Sequence, residues 1–190
     1  PEGKDVPPLD DDMLAYFETI KGVQAVTPII NMNVKMMAGK YVGYVNIIGI
    51  KAEMFRLLDI PVIDGRPLEE GDTDHMVVGK YVAQNFYNPK ASRFRWEPAP
   101  EDFNLMKEKL TISWDMNYGE KPVPGGSQSK VKAKPVKVEA VGIVGRSGYS
   151  EYDYSVIMPF ETVLKYQKEM EKWNKQNGGS NGGGIRGGII

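Results

Sequence analysis

The sequence predicts an α+β protein of mixed sheets with few helices. Three observations carry that expectation. The chain opens with a short amphipathic helix followed by a β-rich hairpin. Val131 to Val144 alternates with a period of two. One long helix, from about Phe160 to Gln176, follows the last strand. With 190 residues, the chain has the length to bury a core without covalent staples.

Residues 1 to 8 (PEGKDVPP) are a polar, proline-containing lead-in. Asp10, Asp11 or Asp12 can cap the helix behind it, their charge suiting the positive end of the helix dipole. Met13, Phe17 and Ile20 form its apolar stripe, and Gly22 stands where a left-handed cap ends it. The three aspartates are read as caps rather than a metal cluster, because adjacent carboxylates at a helix start point in different directions. Val23 to Met37 and Tyr41 to Ile50 read as two strands around an Ala38-Gly39-Lys40 turn, with Met32, Met36 and Met37 as core filling.

Lys51 to Leu58 predicts one or two helical turns, Pro61 to Ile63 a short strand, and Asp64-Gly65-Arg66-Pro67 a turn. Glu69, Glu70, Asp72 and Asp74 then form an acidic loop with His75, the only histidine. Its spacing does not match a calcium loop of the EF-hand kind, and it reads as solvated. Met76 to Val78 is a buried strand, and Lys80 to Tyr87 reads as a helix with Val82 and Phe86 on one face. Val78-Gly79-Lys80 lacks the second glycine and the Ser/Thr of a phosphate loop.

Asn88 to Met106 is the least regular internal stretch. Lys90, Arg93 and Arg95 interleave with Phe94 and Trp96, a nucleic-acid-like pattern, but Glu97, Glu101 and Asp102 follow at once. It reads as a surface insertion packing its own aromatics, with Arg93, Phe94, Arg95 and Trp96 as candidate contacts to a partner protein. Leu110 to Trp114 is a strand, and Asp115 to Lys130 a Gly/Pro-rich loop. In Val131 to Val144, Val136, Val138, Ala140 and Gly142 fall on one face, and Lys137 and Glu139 on the other. Gly145 to Asp153 reads as a loop and Tyr154 to Met158 as a strand. Pro159 then starts the long helix, and a low-complexity Gly-rich tail follows from Gly178.

Composition excludes more than it assigns. The chain has no cysteine, so disulfides and thiolate metal sites are out. A net charge of -1 offers no global attraction to nucleic acid or anionic lipid. No apolar run approaches the roughly 18 residues that would cross a bilayer. Ser-His-Asp catalysis would depend on His75 alone. These readings assign no catalytic, metal-binding or cofactor-binding residue, and no enzyme activity is expected. A hydrolase built on Asp72, Asp74 and His75 is the weakest reading. The Pro-Glu-Gly start and Gly-Gly-Ile-Ile end read as those of a segment cut from a longer protein.

Four ordered pieces resemble the MacB-like periplasmic core domain, the extracytoplasmic part of ABC-transporter permeases of the MacB, LolC/LolE and FtsX type. They are Leu14 to Ile30, with Lys21-Gly22-Val23-x-x-Val26 leading to Pro28; Ile48-Gly49-Ile50 with Met54-Phe55 and Gly65-Arg66-Pro67-Leu68-Glu69-Glu70-Gly71-Asp72; Val77-Val78-Gly79 with Val82-Ala83 and Phe86; and Val138-x-Ala140-Val141-Gly142-Ile143-Val144 with Ile157-Met158-Pro159. The order and spacing match across most of residues 12 to 170. Two departures stand out. Asn88 to Lys109 is a longer insertion than the family's short link. The chain stops at Ile190, so that the half of the porter-like lobe expected after Gly178 would be absent or removed and a first strand before residue 1 missing too.

The resemblance implies two lobes: residues 1–50 as the first part of a porter-like lobe, 51–175 as an inserted mixed α/β lobe, and 176–190 as a Gly-rich connector. It implies a domain outside the cytoplasmic membrane, without catalytic residues, that couples cytoplasmic ATP hydrolysis to export or mechanical signalling. The implied partners are a cytoplasmic ATPase subunit reached through the full-length permease, a second permease copy or homologue, and an extracytoplasmic protein or peptide, with no nucleic acid. The alternative is a secreted or surface-attached protein-binding module without a transport role.

Overall fold

The computed structural model describes residues 11–23, 26–91, 97–122, 129–145 and 150–178. Helix α1 (Asp11–Glu18) is followed by Gly22 at φ +99°, in the left-handed region expected after a helix end. Strands β1 (Ile30–Ala38) and β2 (Tyr41–Ile50) form the expected hairpin, in register from Ile30 opposite Gly49 to Ala38 opposite Tyr41. Helix α2 (Ala52–Leu57), β3 (Val62–Gly65), β4 (His75–Gly79), β5 (Leu110–Ser113) and β6 (Val136–Val144) lie near where the local patterns put them. So do β7 (Val156–Pro159) and α4 (Phe160–Gln176). However, β1 starts at Ile30 and not Val23, β6 at Val136 and not Val131, and β3 takes in Asp64 and Gly65 of the expected turn.

Two element types also change. Lys80 to Tyr87 is not a helix: only Val82–Asn85 makes a 3-10 turn, and Phe86 is extended. Tyr87 instead exchanges backbone hydrogen bonds with Val42 at 2.9 Å each and forms a further bridge with Pro98. Val82 and Phe86 still both reach the core, as their spacing suggested. Within the expected 145–153 loop lies a short helix, α3 (Ser150–Asp153). The insertion also does not pack only on itself. Phe103 sets its ring against Tyr41 and Phe86, and Leu105 is buried.

The strands run β3-β6-β4-β7-β2-β1-β5 in one seven-stranded sheet. A further antiparallel pairing of β5 with β6 joins six of them in a closed cycle, leaving β3 as a branch on β6. The sheet is mixed, with β2–β7 and β4–β6 parallel. Among the described residues only β3 has a single strand partner, and its register shift between Val62 and Asp64, together with the charge of Asp64, blunts that edge. The expected boundary at residues 50/51 is no break in this sheet. β2, from the first side, lies between β1 and β7, and β1 pairs with β5 from the second. Of the expected 176–190 connector, only residues 176–178 are described, at the end of α4.

Period-two alternation divides the core between the two faces. One face buries Val34, Met36, Val45, Ile47, Met76, Val156 and Met158 against Val163 and Tyr166 of α4. The other buries Ile48, Ile50, Val77 and Ile157 against Phe55 and Leu68. A register shift at Met76/Val77 lets β6 change sides, so Ala140 belongs to the first cluster and Val144 to the second, and Gly142, opposite Val77, does not share the face of Val136, Val138 and Ala140 as expected. Met32 and Met36 are core residues, as expected, and Met37 is partly covered. No helix among the described residues is long and apolar enough to cross a membrane.

Candidate functional site

The Gly65–Asp72 loop is held by one carboxylate. Arg66 donates from Nη1 and Nη2 to the two oxygens of Asp72 at 2.8 and 2.9 Å, and the Glu69 backbone N–H donates to Asp72 Oδ2 at 2.8 Å. The Arg66 guanidinium holds the Asp72 carboxyl below the usual aspartate range, with the Glu69 N–H adding to the effect. Gly65 and Gly142 let the two backbones meet beneath this loop. Gly65 has φ +74°, and a Cβ on it would lie 2.2 Å from the Val141 carbonyl oxygen. A Cβ on Gly142 would lie 2.2 Å from that of Arg66. The Gly-Arg turn of the sequence is therefore a crossing point of β3 and β6.

His75 follows this loop as the first residue of β4. Its Nδ1 is 3.3 Å from Asp72 Oδ1, and its Nε2 is 4.0 Å from Glu139 Oε2. Asp74 points elsewhere: the Tyr166 hydroxyl of α4 donates to Asp74 Oδ1 at 2.5 Å. Burial, and then Asp74, push the Tyr166 phenol well above its ordinary value. Thr162 Oγ1 donates to the Thr73 carbonyl at 2.9 Å, so α4 grips this loop twice. The acids thus act as separate structural ties, Asp72 to Arg66 and Asp74 to Tyr166. Among the described residues, no group of three or more His, Asp and Glu is arranged to hold a metal ion. Gly79 has a comparable explanation to Gly142: the α3–β7 turn passes so close that a Cβ would stand 2.3 Å from the Tyr152 carbonyl oxygen.

A second cluster was not foreseen. Lys35, on the outward row of β1, is fully buried. Its ammonium donates to the Tyr87 hydroxyl at 2.7 Å, pairs with Glu120, and lies 3.7 Å from the centroid of the Tyr44 ring. The Tyr87 hydroxyl also donates to Glu120. Burial works against the Lys35 charge, but the bonds to Glu120 and Tyr87 outweigh it and raise its pKa. Burial, then the Glu120 bond, raises the Tyr87 phenol. This cluster ties the 115–122 segment and the base of the insertion to the hairpin.

The first part of the insertion is pinned on either side of residues 92–96. The Asn88 N–H donates to the Glu97 carbonyl at 2.8 Å, and Lys121 Nζ donates to the Lys90 and Ala91 carbonyls at 2.7 and 3.2 Å. The candidate contacts Arg93, Phe94, Arg95 and Trp96 lie between them, outside the described residues.

Comparison with known proteins adds the following. The profile of the MacB-like periplasmic core domain family matches residues 2–181. None of the curated proteins compared matches this chain. The fold is similar to the extracellular domain of the noncanonic ABC-type transporter YknZ from Gram-positive bacteria, at 12% identity and a TM-score of 0.52, covering 83% of this chain and 66% of that one. It is also similar to the periplasmic region of MacB from Actinobacillus actinomycetemcomitans, at 12% identity and a TM-score of 0.51, covering 94% and 78%. The chain therefore spans just under two thirds of the YknZ domain.

Proposed function

This chain belongs to the MacB-like periplasmic core domain family, as an extracytoplasmic domain of an ABC-transporter permease, and from that premise we propose that it relays ATP-driven movement of the membrane region to a partner or cargo outside the membrane. The observation that carries the proposal is the family match across residues 2–181. The fold adds physical support. Six strands of the sheet pair in a closed cycle, and α4 is bonded through Thr162 and Tyr166 to the loop before β4, an arrangement suited to movement as one body. In this reading the domain performs no chemistry of its own. ATP is hydrolysed by a cytoplasmic subunit that reaches it through the full-length permease, with a second permease copy or homologue beside it.

The 190-residue chain carries no cysteine, so a single label can be placed within it once any cysteine elsewhere in the full-length permease is replaced. Ile63→Cys, at an exposed position, takes a spin label in the full-length permease. Pulsed electron resonance then measures the distance between labels on two copies, with and without nucleotide. A change between the two states is expected. An unchanged distance during measurable ATP turnover overturns the relay, as does a parent reading frame without membrane spans.

A further inference from the structure

The outward face of the β1–β2 hairpin is covered at its two ends and open in the middle. At one end the 115–122 segment lies over Val42, where a Cβ on Gly119 would stand 2.5 Å from Val42 Cγ1. At the other, Ile48 and Ile50 are buried under Phe55 and Leu68. Between them lie Asn31, Asn33, Tyr44 and Asn46. Asn33 is directly opposite Asn46, and Lys35 opposite Tyr44. Asn31 and Asn33 are exposed, Tyr44 is 55% exposed, and Asn46 is half-buried, donating to Ser155 Oγ at 3.1 Å.

Two features of this patch run against what a strand needs. Asparagine is depleted in strands because it hydrogen-bonds the backbone in competing conformations. Three of them nevertheless share one sheet face, and breaks in local preference concentrate at functional positions. Tyr44 is also held in an unusual way. The ammonium of Lys35, fixed by Glu120 and Tyr87, lies 3.7 Å from the centroid of the Tyr44 ring, while that tyrosine is 55% exposed. The ammonium charge is cancelled within the cluster, so the ring is oriented without the surface becoming cationic.

We infer that this face is a docking surface for a neutral glycan chain. A pyranose ring offers an apolar C–H side that stacks on an aromatic face, and vicinal hydroxyls that a carboxamide meets with paired donor and acceptor. Asn31, Asn33 and the Lys35 position span about 13 Å along β1, enough for a short run of rings above Tyr44. Among the described residues of the patch, Lys35 is the one cation, and it is committed to Glu120, which leaves an anionic ligand without a partner there. A peptide strand would need a sheet edge, whereas both hairpin strands already have neighbours on either side.

The test is amide correlation NMR on the 15N-labelled 190-residue chain, titrated with cellohexaose, chitohexaose and mannohexaose. At least one is expected to shift the Asn33 and Asn46 side-chain amides and the Tyr44 backbone signal saturably, with a Kd on the order of 1 mM. Tyr44→Phe keeps that binding, and Tyr44→Ala weakens it by at least about tenfold. Asn33→Ala, also at an exposed position, weakens it without touching the Lys35 cluster. The assignment is overturned if none of the three saccharides shifts these signals, if the shifts map to another face, or if Tyr44→Ala binds as the parent does. Equal shifts with a sulfated heparin hexasaccharide overturn it too, by removing the preference for neutral ligands.

Discussion

Lys35→Met tests the buried cluster most directly. Methionine keeps the length of the stem, with sulfur in place of the Cδ methylene, and removes the ammonium. The parent side chain is 0% exposed, while that of Glu120 is 26% exposed. Breaking a buried pair from one side costs about 3–5 kcal/mol when the orphaned charge stays dry. Here Glu120 recovers some water and keeps the Tyr87 bond, which lowers the cost to about 2–3 kcal/mol. For a chain of this size that is a fall in Tm of about 4 to 12 °C. The assay is thermal and urea unfolding followed by circular dichroism. Lys35→Met/Glu120→Leu should lose less than the two single changes added together, since removal of both charges leaves neither uncompensated. The pH dependence has a definite sign. The folded-state pKa of Lys35 is raised, so its contribution is whole below the ordinary lysine value, near pH 10.4, and is lost as pH rises through the folded value. The raised Tyr87 phenol acts in the same direction. The gap between parent and variant is therefore flat from neutral pH to about 10 and closes above it. A Tm for Lys35→Met within 1 °C of the parent (roughly the resolution set by a few tenths of a kcal/mol), or strictly additive losses, would refute the reasoning.

Asp72→Asn should destabilise the chain by about 1 kcal/mol, a modest value because the Arg66 side chain is 36% exposed. Because the Asp72 pKa is lowered on folding, its contribution is present above about pH 4 and lost as pH falls through the folded value, so the variant has a flatter acid limb in urea unfolding. Gly142→Ala forces a Cβ against the Arg66 carbonyl oxygen and should cost more than about 4 kcal/mol, read as a loss of soluble folded protein, while Gly71→Ala, with open space around its Cβ, pays only for its positive φ and stays folded. Trp173→Phe removes the indole donor to the Val131 carbonyl at 2.7 Å and should cost about 1 kcal/mol, with faster amide exchange at Val131, whose N–H is held by Asn177 at 2.9 Å.

The elements were legible because their signals are local. Val136, Val138 and Ala140 alternate with Lys137 and Glu139, and the buried and exposed positions of β6 follow that alternation. The long helix, the hairpin and the glycine that follows α1 were equally readable. Lys80 to Tyr87 was misread because its helical spacing is real, yet Tyr87 gains more from pairing with Val42, far away in the chain. The buried cluster was hidden for the same reason. In Asn31-Met32-Asn33-Val34-Lys35, alternation puts the lysine on the polar row, which is correct. Its burial depends on Tyr87 and Glu120, whose approach no local pattern announces.

By itself, then, the sequence determined most element types and strand faces, because these follow from hydrogen-bond periodicity, and its ordered motifs carried the resemblance to the family. Only the tertiary structure decided the closed cycle of strands, the change of face within β6, the partners of Asp72 and Asp74, and the charge buried at Lys35. Each of these depends on segments distant in the chain coming together, and the free energy of such contacts is written in no single stretch of residues.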